Sequence, residues 1–207
     1  MKNNLHGFSY DLDKARISGN IFERIFHNRR LNFWLSAADY SHKKVLDIGC
    51  NTGIVLIPLL EQGVNIVGID ISKEDIFTAK NRLRGKKLSE KVVMIAGAEK
   101  LPFKSGTFDL VLMSDILEHV NDPQQAAHEA LRVTKKGGFI LTTVPNGWHP
   151  VVRYPMVRKI LTGRNDVDEH LDMPFSTKEL VALFPDAKLI KRSFIGFFSE
   201  IFAVFKK

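Results

Sequence analysis

From Lys43 onward, short apolar runs alternate with amphipathic stretches. KKVLDIG (43–49) reads as a strand, and IVLIPLLEQG (54–63) as a helix closed by Gly63. VNIVGID (64–70) is a second strand, followed by a helix over SKEDIFTAKNRLRG (72–85), with Ser72 as N-cap and Gly85 as its stop. KVVMIAG (91–97) is a third strand and FDLVLMS (108–114) a fourth. DPQQAAHEALRVT (122–134) is helical, with Asp122 capping and Pro123 in the first turn, and GGFILTTVP (137–145) is a fifth strand. Strands this uniformly apolar suit a parallel sheet covered on both faces. Their alternation with helices predicts an α/β doubly wound fold.

Two regions break the rhythm. Residues 1–42 look helical, most strongly at IFERIFHNRRLNFWL (21–35), and act as a cap before the first strand. Residues 146–175 are too long for an ordinary connection and predict a lid or binding insertion. Within it, WHPVVRYPMVRKIL sets an apolar face beside Arg153, Arg158 and Lys159, which suits a hydrophobic acceptor, a peripheral membrane contact, or a simple cap on the sheet edge. STKELVALF (176–184) starts a last helix, and AKLIKRSFIG and FFSEIFAVFKK read as an antiparallel strand pair at one sheet edge. The expectation is therefore one domain, 1–207, with its core at 43–145 and a closing unit at 176–207.

The 207 residues are 44% hydrophobic and 26% charged, ordinary for a soluble globular chain. No apolar run approaches a membrane span, the first residues do not resemble a secretion signal, and the single cysteine, Cys50, cannot close an internal disulfide. A cytoplasmic setting is expected. The net charge of +7 is densest at KNRLRGKK, Lys80 to Lys87. Such charge suits nucleic acid, anionic lipid or an anionic small molecule, or else a solvated helix end. No aromatic residues interleave with it, which argues against nucleic acid.

Chemistry concentrates at VLDIGCNTG (45–53), at the carboxyl end of a strand, where open α/β sheets bind ligands. Gly49 and Gly53 allow close approach to the backbone. Asp70 ends the second strand 21 residues after Gly49, placed to accept from both hydroxyls of a ribose. The glycine spacing does not meet the dinucleotide pattern, and Asp47 is unwelcome beside a pyrophosphate. It suits a cation, so the sulfonium and ammonium of S-adenosylmethionine (SAM) fit better than NAD. Cys50 is a small filler in this loop, and Asn51 enters left-handed conformations more readily than most residues.

VLDIGCNTG, VGIDIS, AEKLPF, FDLVLMSDILEHV and LRVTKKGGFILTTVPN together resemble the ordered motifs of class I SAM-dependent methyltransferases (the Rossmann-like methyltransferase type 11 group), over residues 43 to 146. That resemblance implies a seven-stranded, mostly parallel sheet with an antiparallel C-terminal strand. HNRRLNFW, SDILEHV and EHLDMPFSTKEL are similar to quinone-biosynthesis O-methyltransferases of the UbiG type. The likeness implies SAM contacts at Arg30 (for its carboxylate), Asp47, Gly49, Cys50, Asn51, Gly53, Asp70, Ile71 and Ser114. Where many relatives carry an acid for the adenine amino group, this chain has Gly97, so backbone at Ala98 or the side chain of Glu99 must serve.

Methyl transfer needs nucleophile and methyl held in line, and a phenol, catechol or amine must lose a proton. Asp115 and His119 in SDILEHV are the candidate bases, beside Glu118. The resemblance also implies a metal reading in which Asp115, Glu118, His119 and His170 hold a divalent ion such as Mg2+; the alternative is that these residues only shape the turn. His149 borders the insertion, and Asn146 is a candidate for substrate contact or for a turn role. The leading reading is methyl transfer from SAM, leaving S-adenosylhomocysteine (SAH), to an oxygen of a phenolic, quinone-like or lipidic acceptor. An RNA methyltransferase, a non-catalytic SAM-binding partner protein and a NAD-dependent oxidoreductase are the competitors; the glycine spacing disfavours the last.

Overall fold

A computed structural model describes residues 17, 18, 21–149, 154, 175–195 and 198–207. The expected insertion at 146–175 falls largely outside them, as do His170 and most of the apolar–basic stretch. The described elements are α1 (Ile21–Ser36), β1 (Lys44–Ile48), α2 (Leu56–Glu61), β2 (Asn65–Asp70), α3 (Lys73–Gly85), β3 (Val93–Ile95), β4 (Phe108–Ser114), α4 (Pro123–Val133), β5 (Thr134–Pro145), α5 (Thr177–Ala182), β6 (Lys188–Ile195) and β7 (Glu200–Lys206).

They build one seven-stranded sheet in the order β3-β2-β1-β4-β5-β7-β6. β1 to β5 pair in parallel. β7 runs antiparallel to both neighbours and inserts between β5 and β6. The doubly wound expectation and the closing antiparallel pair are both met, with β6 rather than the last strand at the edge.

Side chains alternate across each strand, and both faces are apolar. Leu46 and Ile48 of β1, with Val111 and Met113 of β4, join a layer with Ala126, Ala130 and Phe184. Val45, Leu110 and Leu112 join the opposite layer with Trp34, Leu56 and Phe202. On that second face Phe33 and Trp34 pack edge-on against Phe202, at 4.7 and 6.1 Å between ring centroids. Arg30 lies one turn earlier on the same side of α1. Helix α1 therefore pins an arginine over the start of β7.

The helix signals hold in detail. Ser72 Oγ accepts from Asp75 N–H and Asp122 from Gln125 N–H, and Ser176 with Glu179 forms a reciprocal cap. α3 ends at Gly85 as expected, although Lys87 rather than the glycine adopts the left-handed conformation, at φ 58°. Two boundaries differ. β3 pairs only with β2, over three residues, and a 3-10 turn (Glu90–Val92) replaces its expected start. β5 begins three residues early, with Gly137 at φ 80° in its irregular first part.

Gly68 of β2 is where the sheet meets the glycine turn. A Cβ there would run into Leu56 Cδ1 and lie 2.8 Å from Cys50 Sγ. Gly68→Ala is expected to destabilise the chain by about 1–3 kcal/mol through overpacking. Denaturant unfolding tests it; unchanged stability would contradict the packing described.

Candidate active site

β1 ends in a tight turn that its residues explain. Gly49 and Gly53 have φ 74° and 83°, and Asn51 between them has φ 48°. The N–H groups of Gly49 and Cys50 both donate to Ile69 O, at 2.9 Å. A Cβ at Gly49 would stand 2.8 Å from Ile116 Cδ1, so this glycine admits the neighbouring β4 turn as well as leaving the backbone bare. Cys50 is buried against Gly68, and burial pushes its thiol well up, which fits a filler rather than a nucleophile.

Asp70 closes the gap to β2. Its Oδ2 accepts from Asn51 N–H and its Oδ1 from Ser72 N–H, each at 2.9 Å. Each oxygen keeps a further lone pair for a ligand donor. Burial raises the Asp70 carboxyl, against these backbone donors. Asp47 lies beneath, 3% exposed, pushed up to about 7 by burial and then by Asp70. Asn51 Nδ2 reaches Asp75, and its Oδ1 is buried with no partner among the described residues. Arg82 of α3 braces the turn by donating to Thr52 Oγ1 at 2.8 Å.

Beyond Asp70, Ile71 is 63% exposed, an apolar shelf beside the site. Ala98 is buried. Glu99 Oε1 accepts from Asn121 N–H, and a Cβ at Gly97 would lie 3.6 Å from Glu99 Oε2 and 3.8 Å from Ile71 Cδ1. The Glu99 carboxylate thus occupies the space over Gly97.

A second cluster centres on Arg30. It forms an ion pair with Asp115, donates to Ser114 Oγ at 3.1 Å, and stands 3.6 Å from Glu200 Oε1. Burial works against its charge, but Asp115, Glu200 and Glu118 outweigh that and hold its pKa above the ordinary value. Asp115 has left-handed backbone, φ 48°, held by its N–H on Thr143 O and Oγ1. Burial, then Asp115, raises the Glu118 carboxyl well above its ordinary value. Burial likewise raises Glu200 to about 7, with Arg30 opposing and Asp115 assisting. One guanidinium serves three carboxyl groups, and Asp115 Oδ1, Glu118 Oε2 and Glu200 Oε2 are buried without hydrogen-bond partners among the described residues.

The structure brings Arg30, Ser114, Asp115 and Glu118 together. His119, next in sequence, is exposed where Glu118 is buried. Among the described residues no three His, Cys, Asp or Glu side chains are placed to hold a metal. The Mg2+ reading therefore lacks support: Arg30, a cation, already stands among the carboxylates, and His170 lies outside the described residues. Asn146 caps locally, its Nδ2 donating to Phe198 O and its Oδ1 accepting from Trp148 N–H. The basic stretch 80–87 is engaged by Arg84 on Glu90 and Lys86 on Glu61, as a solvated helix end would be. Glu200 went unread in the sequence, since a lone acid ahead of IFAVF looks like any exposed strand start.

These residues fit SAM. Asp70 offers lone pairs to a ribose, Ile71 offers an apolar face, and acids rather than phosphate-binding groups line the turn. Residues 46–142 match the methyltransferase domain family. Over those residues the chain resembles methyltransferase domains. Over 101 residues the chain is 39% identical to norajmaline N-methyltransferase of Rauvolfia serpentina, covering 48% of this chain and 35% of that protein. Over 120 residues it is 32% identical to a ubiquinone biosynthesis O-methyltransferase of Vibrio parahaemolyticus, covering 56% and 50%. The chain thus spans half or less of the length of these relatives. A crystal structure of a Pyrococcus horikoshii OT3 protein shares the fold across 97% of this chain and 99% of its own, at TM-score 0.75 and 20% identity. Among the described residues no helix is long and apolar enough to cross a membrane.

Folded Asp47 keeps its proton where an unfolded aspartate, near 3.8, has lost it. Its contribution to stability therefore falls as pH rises from about 4 to about 7. Asp47→Asn, neutral throughout, is expected to match the wild type at pH 4 and to exceed it at pH 8 by on the order of 2–4 kcal/mol. Denaturant unfolding at the two pH values measures this; a wild type that is the more stable at pH 8 would contradict it.

Proposed function

We propose that the chain transfers a methyl group from SAM to an oxygen of a small phenolic, quinone-like or lipidic acceptor. The observation that carries this reading is the pairing of two sites along one sheet edge. The Gly49–Gly53 turn with Asp70 forms a bare, acid-lined nucleoside site. Next to it, at the end of β4, lies a buried carboxyl group cluster able to receive a proton. Similarity to a ubiquinone biosynthesis O-methyltransferase supports oxygen. Similarity to an N-methyltransferase favours nitrogen as the second reading.

In this assignment Asp70 holds the ribose hydroxyls, and the backbone of Gly49, Cys50, Asn51 and Gly53 lines the turn. Ile71, Ala98 and Glu99 flank the base, and Asp47 biases the floor toward positive charge. Arg30 and Ser114 stand at the methionine end. SAM supplies an electrophilic methyl; the chain's task is to orient the nucleophile, exclude water and move its proton. Asp115, anchored by Arg30, and His119, at the exposed rim, are the candidate bases of the turn. A hydrophobic acceptor would also fit a chain that works at a membrane surface.

Calorimetric titration with SAH tests the cofactor half. Wild type is expected to bind saturably, NAD not at all, and Asp70→Ala at least tenfold more weakly, about 1.4 kcal/mol or more. A folded wild type that ignores SAH would overturn the reading. For the acceptor half, SAH release is measured over a panel of catechols and amines. Turnover confined to catechols supports oxygen, and turnover confined to amines would move the reading to nitrogen.

A further inference from the structure

Glu200 does not line the Gly49–Gly53 turn and reaches the methionine end only through Arg30, and its position is specific. β7 runs against its neighbours, so its first residue lies at the carboxyl end of the sheet, opposite Pro145 of β5 and Ile195 of β6. Ligands enter open parallel sheets from that side. Glu200 is 7% exposed. Its Oε1 faces Arg30 Nη1, and its Oε2 is buried with no partner among the described residues. A buried acceptor atom without a donor needs an explanation, because native structures rarely leave one.

The groups around it narrow the possibilities. Arg30 faces it from α1, and Asp115 and Glu118 come from the turn after β4. Arg30 is committed first to Asp115 and Ser114, which leaves Glu200 only its longer contact. Burial, then Asp115, raises the Glu118 carboxyl well above its ordinary value, which favours its protonated, donating form. An unpaired buried carboxylate oxygen at the ligand end of the sheet suits a ligand that brings a hydrogen-bond donor.

Resting on the methyl-transfer reading, we propose that Glu200 binds the acceptor: its free Oε2 accepts the hydrogen bond of a phenolic hydroxyl and takes that proton as the methyl moves. The O–H bond breaks to the Glu200 oxygen, and the hydroxyl oxygen's electron pair forms the new C–O bond. The methyl–sulfur pair stays on sulfur, giving neutral SAH. One negative carboxylate and one sulfonium are consumed together, so charge balances. A carboxyl raised to about 7 can both hold and release that proton near neutrality.

The test titrates the full chain, first with SAH alone, then SAH-loaded with catechol at pH 6 and pH 8, for wild type, Glu200→Gln and Glu200→Asp. SAH affinity is expected to stay within about threefold of wild type in both variants, since Glu200 reaches the methionine end only through its 3.6 Å contact with Arg30. Wild-type affinity for catechol should rise about tenfold from pH 6 to pH 8, as a group titrating near 7 goes from mostly protonated to mostly ionised. Glu200→Gln should bind catechol at least tenfold more weakly at pH 8, a loss on the scale of a charge-assisted hydrogen bond, and without the pH slope. Glu200→Asp should keep the slope. SAH binding without catechol binding in the wild type overturns the inference. So does a Gln variant that keeps wild-type affinity and slope, or one that loses SAH affinity, which would place Glu200 in the cofactor site. Failure of wild type to bind SAH at all falls first on the cofactor reading, and this inference falls with it.

Discussion

The site depends on one half-buried cation. Arg30 leaves α1 and meets Asp115 after β4 and Glu200 at the start of β7, with Glu118 close behind. Three carboxyl groups in a low-dielectric pocket cannot all ionise around a single guanidinium, and the raised Glu118 and Glu200 carboxyls express that conflict. The edge-on packing of Phe33 and Trp34 on Phe202 delivers Arg30 to its place. The aromatic contact thus sets the electrostatics of a site it does not touch.

A second acid pair, Asp47 and Asp70, governs the neighbouring turn. Asp70 is bound by two backbone N–H groups, which fix its carboxylate at the rim. Among the described residues Asp47 has no comparable backbone donors, and burial pushes its carboxyl up to about 7. Both halves of the site are acidic at their floor. That makes the edge hospitable to positive charge and to hydrogen-bond donors, and poor for phosphate. The same logic separates this turn from a dinucleotide site, which presents N–H groups to an anion.

Much of this was legible in the sequence where a local rule decides the structure. Uniformly apolar strands between capped helices specified the parallel sheet, and Ser72 and Asp122 fall at their caps. The glycines and asparagine of the turn adopt the left-handed conformations that such residues permit. What escaped was non-local. Glu200 is an ordinary strand start until β7 inserts, reversed, between β5 and β6 and brings it to the ligand edge. Lys87 rather than Gly85 takes the left-handed turn after α3, a choice that propensity does not predict. His119 follows Glu118 directly, yet one is exposed and the other buried, a difference that the motif does not show.

Arg30→Met, unfolded by denaturant at pH 5 and pH 8 beside the wild type, bears most directly on the claim that this arginine holds the acidic site together. Removing one partner of a buried ion pair strands the other charge at a cost of about 3–5 kcal/mol. At pH 5 the Glu200 carboxyl, raised to about 7, is protonated and needs no counter-charge. The loss should therefore be distinctly larger at pH 8 than at pH 5. An equal loss at both pH values, or none at pH 8, would contradict the account.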